Sequence, residues 1–342
     1  MLLDLERNEV VDYIKGLGFP AFRGEQVYDA MLQGKTLEEV SNIPQNIKEA
    51  ISQDYPHFEI AKKLESQDGT IKYAFKMFDG EIIESVFMKY KYGNTLCVST
   101  QVGCRMGCKF CASGLFGLKR NLSAGEILSQ VIMANRDNGG TVKDRSVTNV
   151  VLMGSGEPLD NYDNVTKFFS LLSQEKGLKI SHRNISLSTC GIVPNIYKLA
   201  DENSAVTLTI SLHAPNDEIR KRTMPIANKY SIKEIIEACK YYFEKTGRRV
   251  IFEYTLIKGV NDSEENAKEL SCLVKGFPSH INIIPLNYVK ERSLQMPTAK
   301  GAYVFAGYLE KLGTSATVRR TLGSDIGGAC GQLRNSLMGG EK

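Results

Sequence analysis

Between residues 94 and 321 short apolar runs alternate with helical patterns, and this alternation confines the chain to very few architectures. The strand-like runs are TLCVST (95–100), NVVLM (149–153), ISLST (185–189), VTLTISL (206–212), VIFEYTL (250–256) and INIIPL (281–286). Apolar residues at helical spacing fill the intervals 123–136, 163–174, 194–202, 231–245, 262–276 and 299–312. Ser123/Glu126, Ser231/Glu234 and Asp262/Glu265 have the capping-box pattern, so three helix starts are marked. Runs this short and this apolar read as strands covered on both faces, the habit of a parallel sheet with helices outside. Six such units are too few for a closed eight-stranded barrel and fit an α/β fold built on a partial (βα)6 barrel. TVRRTLG (317–323) has the composition of one last strand.

The segments before this region follow other periods. Val10, Val11, Ile14 and Leu17, then Val27, Ala30 and Met31, fall at helical spacing, which predicts a small helical module over 1–55. From 56 to 93 the period becomes two: FEIAKKLES, TIKYAFKMF and EIIESVFMK, broken at QDG and DG, predict a three-stranded β extension. The barrel core then spans 94–322, and a glycine-rich tail occupies 323–342. KYKYGN interleaves Lys89 and Lys91 with Tyr90 and Tyr92; this suits either an amphipathic edge strand or contact with phosphates and bases.

A net charge of +4 permits an RNA partner without demanding one. MLLDLERNEV builds no apolar stretch of a signal peptide, and no run of 18 apolar residues occurs, so a cytoplasmic protein without membrane contact is expected. Eight cysteines in 342 residues, three of them in one loop, do not read as a secreted disulfide scaffold.

That loop is QVGCRMGCKFCASG, with Cys104, Cys108 and Cys111 spaced C-x3-C-x2-C. Soft thiolates select zinc, copper(I) or an iron–sulfur cluster. A structural zinc site needs a fourth ligand, usually from a second Cys or His pair, and the four histidines (57, 182, 213 and 280) supply none nearby. Three ligands on a cuboidal cluster leave one iron open to substrate. In a parallel barrel, functional groups gather at the C-terminal ends of the strands. Gly154-Ser155-Gly156-Glu157-Pro158, Ser188, Ser211, His213 and Asn287 all fall there. Cys97 lies in the first strand, seven residues before Cys104, and Cys330 lies in GACGQL, where backbone can reach into a pocket. Cys190, Cys239 and Cys272 read as small buried hydrophobes.

The cysteine spacing, with Phe110 before the last thiol, resembles the radical S-adenosylmethionine (radical SAM) superfamily. TLCVSTQVGC, MGSGEPL, SLHAPN and DIGGACGQL together resemble the RlmN/Cfr family of RNA adenine methyltransferases, most closely its RlmN branch, over residues 3–333. The resemblance implies a 4Fe–4S cluster on Cys104, Cys108 and Cys111, and two SAM molecules per turnover. It implies SAM contacts at Gly156, Glu157, Ser188, Ser211, Leu212, His213 and Asn287. Two glycines in GSGEP let backbone approach the amino-acid end of SAM, and the Glu157 carboxylate can accept from its amino group.

An aromatic C–H carbon is not nucleophilic, so the methyl group itself must become the attacker. By resemblance, Cys330 carries the methyl group, a radical made from the second SAM activates it, and it adds to adenine C2. Glu84 removes the C2 proton, and Cys97 attacks Cys330 to release product as a disulfide bond. Glu84 taken alone reads as a solvent-facing strand carboxylate. The implied substrates are an adenine of the 23S rRNA peptidyl-transferase centre and the adenine 3′ of the anticodon in some tRNAs. A flavodoxin or ferredoxin would serve as one-electron donor, a monomer is expected, and Lys119 and Arg120 are candidate RNA contacts alongside an RNA-contacting N-terminal module. Gly327 and Gly328, where the family usually has other residues, should loosen the tail. The rivals are a Cfr-type C8 methyltransferase, disfavoured by Pro158 in GSGEPL, and a non-catalytic zinc-stabilised RNA-binding protein.

Overall fold

The computed structural model describes residues 1–333; of the expected tail, residues 334–342 lie outside the described residues. The amino-terminal module comprises α1 (Arg7–Gly16), α2 (Ala21–Leu32) and α3 (Gln45–Ile51). Val10 and Ile14 bury one stripe of α1, while Leu17, expected on that stripe, lies at the C-cap and is exposed. Gly24 lets α2 lie directly on α1, since a Cβ there would come within 2.5 Å of the Val11 Cα.

Three antiparallel strands follow: β1 (Ile60–Glu65), β2 (Ile71–Lys76) and β3 (Ile82–Tyr90). The turns between them place Gly69 and Gly80 at positive φ, as Asp-Gly hairpin turns require. β4 (Gly93–Cys97) pairs antiparallel with β3 on one side and parallel with β7 (Asn149–Leu152) on the other. The extension and the barrel therefore form one continuous sheet, and the KYKY segment ends an interior strand rather than an edge. Between these two strands, β5 (Gln101–Gly103) and β6 (Leu118–Asn121) form a ribbon that flanks the cysteine loop, and α4 (Ala124–Asp137) follows.

After β7 the chain runs α5 (Tyr162–Ser173), β8 (Ile185–Thr189), α6 (Val193–Asp201), β9 (Thr207–Ser211), α7 (Asp217–Thr223), α8 (Ile232–Thr246) and β10 (Val250–Leu256). It ends with α9 (Glu264–Leu273), β11 (Ser279–Pro285), α10 (Ala299–Lys311) and β12 (Ala316–Val318). The sheet order is β1-β2-β3-β4-β7-β8-β9-β10-β11-β12, parallel from β4 onward. All six expected strands are present and TVRR contributes the short seventh, so the barrel is partial and, among the described residues, its two sheet ends do not pair.

One local expectation is corrected, and one helix lies where none was expected. The Asp262/Glu265 capping box is shifted by one residue: Ser263 and Asn266 cap α9, and Asp262 instead accepts from the Gly259 amide in the preceding turn. Helix α7 carries no apolar stripe and was not legible; its buried side chains are Arg220 and Thr223. One apolar core runs from Leu2 through the barrel to Leu309, and Tyr28 and Asp4 tie the helical module to Gln174 and to the Gly125 amide of α4. No helix among the described residues is long and apolar enough to cross a membrane.

Candidate active site

The C-terminal ends of the parallel strands open into a cavity of about 1430 Å³, its mouth included. Cys97, Cys104, Cys108, Cys111, Gly156, Glu157, Ser188, Ser211, His213, Asn287 and Cys330 all line it. Leu212 and Glu84 do not.

The cysteine loop is shaped by its own glycines. Gly103 has φ +79° and sits so close to Gly117 that a Cβ would lie 2.0 Å from its carbonyl oxygen. The Cys104 amide donates to that same carbonyl at 2.9 Å, and the Lys109 amide donates to Thr223 at 2.9 Å. The three thiols are half-buried on one wall and feel one another electrostatically. Burial pushes the Cys104 thiol up to about 12 and Cys108 further still, a cost that a bound cation reverses by drawing off the protons. Among the described residues no three Cys, His, Asp or Glu are grouped as ligands of a metal ion. Three thiols around one cavity fit an iron–sulfur cluster, in which each thiolate binds its own iron, better than a closed zinc site. His213 is no fourth ligand through Nδ1, which accepts the Thr255 amide at 2.8 Å. Burial first, and Arg220 second, hold this histidine neutral down to about 3, and its ring meets Phe110 edge-on at 4.7 Å.

The GSGEP glycines answer first to the chain. A Cβ on Gly154 would lie 2.6 Å from the Val98 carbonyl, and Gly156, at φ +108°, would meet the Gln101 amide at 2.8 Å. This crossing holds Glu157, whose amide donates to Gln101 Oε1. The buried Glu157 carboxylate accepts from the Leu159 amide at 3.0 Å and the Cys190 amide at 2.8 Å. Burial raises its pKa and these donors oppose the rise. Ser188 and Ser211, on adjacent parallel strands, face each other at 3.3 Å. Leu212 turns into the apolar core, so only its two neighbours reach the cavity.

Cys97 ends β4 and Cys330 hangs from the tail. Desolvation raises both thiols, Cys97 to about 12 with a further push from Cys330, and the charge of Arg319 opposes the rise at each. Cys330 is solvent-accessible within the cavity even though protein surrounds it. All eight cysteines are free thiols, so the expected disulfide is absent from this structure. Cys239 is buried as expected. Cys272 is exposed, contrary to expectation, and Cys190 is buried but lines the cavity beside Glu157.

Glu84 departs most from its simple reading. It is fully buried and ion-paired with Lys72 at 3.1 Å, not turned to solvent. The tail itself is tied down: Asn287 Nδ2 donates to the Cys330 carbonyl at 3.0 Å, Ser113 Oγ to Leu333 at 2.8 Å, and the Gly323 amide to Asp68 at 2.9 Å. Gly327 adopts φ +61°, a conformation open to glycine, and its carbonyl accepts from Lys72; the tail is not loose there. The cations Lys119 and Arg120 are engaged by Glu81, Asp79 and Glu126 of this chain.

Three charged residues at or beside the cavity escaped the sequence reading. Arg319 enters the cavity 3.8 Å from Glu253, which accepts from Asn282 at 3.0 Å. The available signal was a charge inside an apolar run, FEYTL, and a polar residue at the matching place in INIIP. Arg220, fully buried on α7, donates to the carbonyls of Cys190 and Leu212 and so fixes the loops after β8 and β9.

The radical SAM superfamily model matches residues 98–270. The chain is 50% identical to a probable dual-specificity RNA methyltransferase RlmN of Clostridium perfringens, over 98% of this chain and 97% of that protein. It is 51% identical to the Clostridium botulinum protein of the same name, over 98% of each. The crystal structure of a radical SAM methyltransferase from Sphaerobacter thermophilus superposes with a TM-score of 0.92 at 40% identity, covering 97% of this chain and 98% of that one.

Proposed function

The chain belongs to the RlmN family of radical SAM methyltransferases, and from that premise we propose that it methylates C2 of adenine in RNA through a methyl group carried on Cys330. It is an RNA methyltransferase that uses SAM and a 4Fe–4S cluster. One observation carries the finer reading: Cys97, Cys330 and the three loop thiols line a single cavity with the GSGEP loop. Cys104, Cys108 and Cys111 would hold the cluster, which when bound supplies the electron that splits SAM and so generates the radical.

The residues of the chain divide the remaining work. Gly156, Glu157, Ser188, Ser211, His213 and Asn287 line the space that SAM would fill, with neutral His213 and the two serine hydroxyls presenting polar groups without net charge. Cys330, as thiolate, attacks the SAM methyl carbon; the S–CH3 bond forms as the sulfonium–CH3 bond breaks, and S-adenosylhomocysteine leaves. Arg319 offsets the negative charge of that thiolate in the low-dielectric cavity. Glu84 is the proposed acceptor of the adenine C2 proton; because it is buried and does not line the cavity in this structure, the tail that shares Lys72 with it must shift for the base to reach it. Cys97, as thiolate, then attacks the Cys330 sulfur: the S–S bond forms as the S–CH2 bond to the base breaks, that carbon takes up a proton to become the methyl group, and external reductant must open the disulfide before the next turnover.

The substrates proposed are 23S rRNA and tRNA, the target base being unstacked to reach the cavity. A flavodoxin or ferredoxin would donate electrons to a monomeric enzyme in the cytoplasm. The deciding experiment is mass spectrometry of nucleosides from tRNA and an rRNA fragment treated with anaerobically reconstituted enzyme, SAM and reductant. The expected product is 2-methyladenosine. An 8-methyl product would assign the Cfr-type regiochemistry instead, and a colourless protein that makes no 5′-deoxyadenosine would defeat the enzyme reading.

A further inference from the structure

The side chains of Glu84, Val86, Met88 and Tyr90 alternate onto one face of β3, and the last three of these line the cavity. Glu84 faces the same side but is fully buried and does not line the cavity. Its register neighbourhood is that of the resolving thiol: Val86 pairs with Cys97, and Ser99 Oγ donates to the Glu84 carbonyl at 2.6 Å. On the other flank, Lys72 pairs with Val86 across β2, and its ammonium group is almost fully buried. That ammonium contacts the Glu84 carboxylate at 3.1 Å and donates to the Gly327 carbonyl at 3.1 Å, three residues before the methyl-carrying Cys330.

We propose that Lys72 is a positioning residue that couples the Glu84 carboxylate to the docked tail, setting proton acceptor and methyl carrier in register through one ammonium group. The proposal rests on the reading of Glu84 as the C2 proton acceptor. A lysine presents three donors from a single point, so one group satisfies a carboxylate and a backbone carbonyl on different elements. A buried charge that loses its partner is costly, so neither contact is easily given up singly. The arrangement makes the acceptor's position answer to the tail: a displacement of Gly327 pulls on Lys72 and, through it, on Glu84. The tail has other ties, at Asp68, Ser113 and Asn287, so Lys72 is not needed merely to hold it in place.

The test uses full-length reconstituted enzyme and compares Lys72→Met, Glu84→Gln and the double variant. Two readouts are followed: methylation of the Cys330 peptide by mass spectrometry, and covalent protein–RNA adduct on denaturing gels. Lys72→Met should still methylate Cys330, accumulate adduct, and release product about 10²-fold more slowly, as expected for a displaced catalytic group. In the Glu84→Gln background the Lys72 substitution should add nothing further. Lys72→Met that turns over like wild type while Glu84→Gln traps adduct would overturn the coupling and leave the Glu84 reading intact. Glu84→Gln that turns over like wild type would instead sink the Glu84 reading. Additive slowing in the double variant also overturns the coupling, because it assigns Lys72 an effect independent of Glu84. Should Lys72→Met fail to fold, Lys72→Arg, which keeps the charge and moves the donor, replaces it under the same outcomes.

Discussion

Two regions bring sulfur to the cavity, and they are built on opposite plans. The cysteine loop between β5 and β6 is shaped locally: Gly103 closes on Gly117, the Cys111 amide turns back on Cys108, and the neighbouring GSGEP turn is forced by contact with residues 98–101. Among its described residues the tail carrying Cys330 has no element longer than a three-residue turn, and it is held mainly by side chains of the β1–β2 hairpin (Ser66, Asp68 and Lys72), by Ser113 of the cysteine loop and by Asn287 after β11. The contrast teaches that the segments proposed to bind cofactor are shaped by close backbone approach, whereas the segment proposed to deliver the methyl group is positioned mostly by replaceable side-chain contacts, with one backbone bond from the Ala112 amide to the Gly331 carbonyl at 2.8 Å. On the proposed mechanism Cys330 is methylated, attacked and reset in each cycle, and such divisible restraint suits it.

The largest expected effects separate the two regions by chemistry. Cys108→Ala should abolish cluster assembly, measured as loss of bound iron and visible absorbance, and with it all 5′-deoxyadenosine formation. Cys330→Ala should retain cluster and SAM cleavage while RNA methylation disappears; methylation at the wild-type rate would break the carrier assignment. Cys97→Ala should stall with RNA covalently attached, seen as a shifted band on denaturing gels, because no thiol is left to resolve the adduct. The next effect probes the rigid plan itself. Gly156→Ala puts a Cβ on a residue at φ +108° within 2.8 Å of backbone, so a loss of about 2–4 kcal/mol is expected in denaturant unfolding. A change below about 0.5 kcal/mol would show that the turn yields easily and that the contrast is overdrawn.

The same division governs what could be read from the chain. The six parallel strands, the three-stranded extension and the cysteine loop were legible because apolar alternation, Asp-Gly turns and clustered thiols are local signals. Helix α7 was not, because DEIRKRT is polar and its purpose, aiming Arg220 at the carbonyls of Cys190 and Leu212, is a tertiary one. The capping-box error at α9 has the same origin: Asp262 was claimed by a turn that only the fold reveals. Glu84 read as a surface carboxylate because strand alternation fixes which face a residue takes but not what covers that face. Lys72, Glu253 and Arg319 belong to pairs joined across the sheet, and no spacing in the sequence announces a partner on another strand.

A smaller effect tests the rigid rim through pH. His213 remains neutral in the fold down to about 3, against an ordinary 6.5, since burial and Arg220 both disfavour its cation. The unfolded chain therefore takes up this proton first as pH falls, and stability present above 6.5 is progressively lost toward 3. At pH 5 the loss from this group is about 2 kcal/mol. His213→Asn suits the positive φ of 54° at this position and should flatten the pH dependence of the urea midpoint between 6.5 and 4. An unchanged slope would mean that other buried groups dominate acid stability.

The smallest expected effect falls on the tail, and it bears directly on the divisible plan. Asn287 makes one of several ties, its amide donating to the Cys330 carbonyl at 3.0 Å. Removing it in Asn287→Ala gives up a single neutral hydrogen bond, about 1 kcal/mol, shared between global stability and local docking. Because Asp68, Lys72 and Ser113 remain, the tail should stay docked. Proteolysis after Arg320 should rise by about the five-fold that 1 kcal/mol represents in a local opening equilibrium, with little change in the global unfolding midpoint. If the substitution instead freed the tail as completely as removing the Asp68, Lys72, Ser113 and Asn287 contacts together, the contacts would act as one cooperative unit. The proposed methyl carrier would then be as rigidly specified as the cysteine loop.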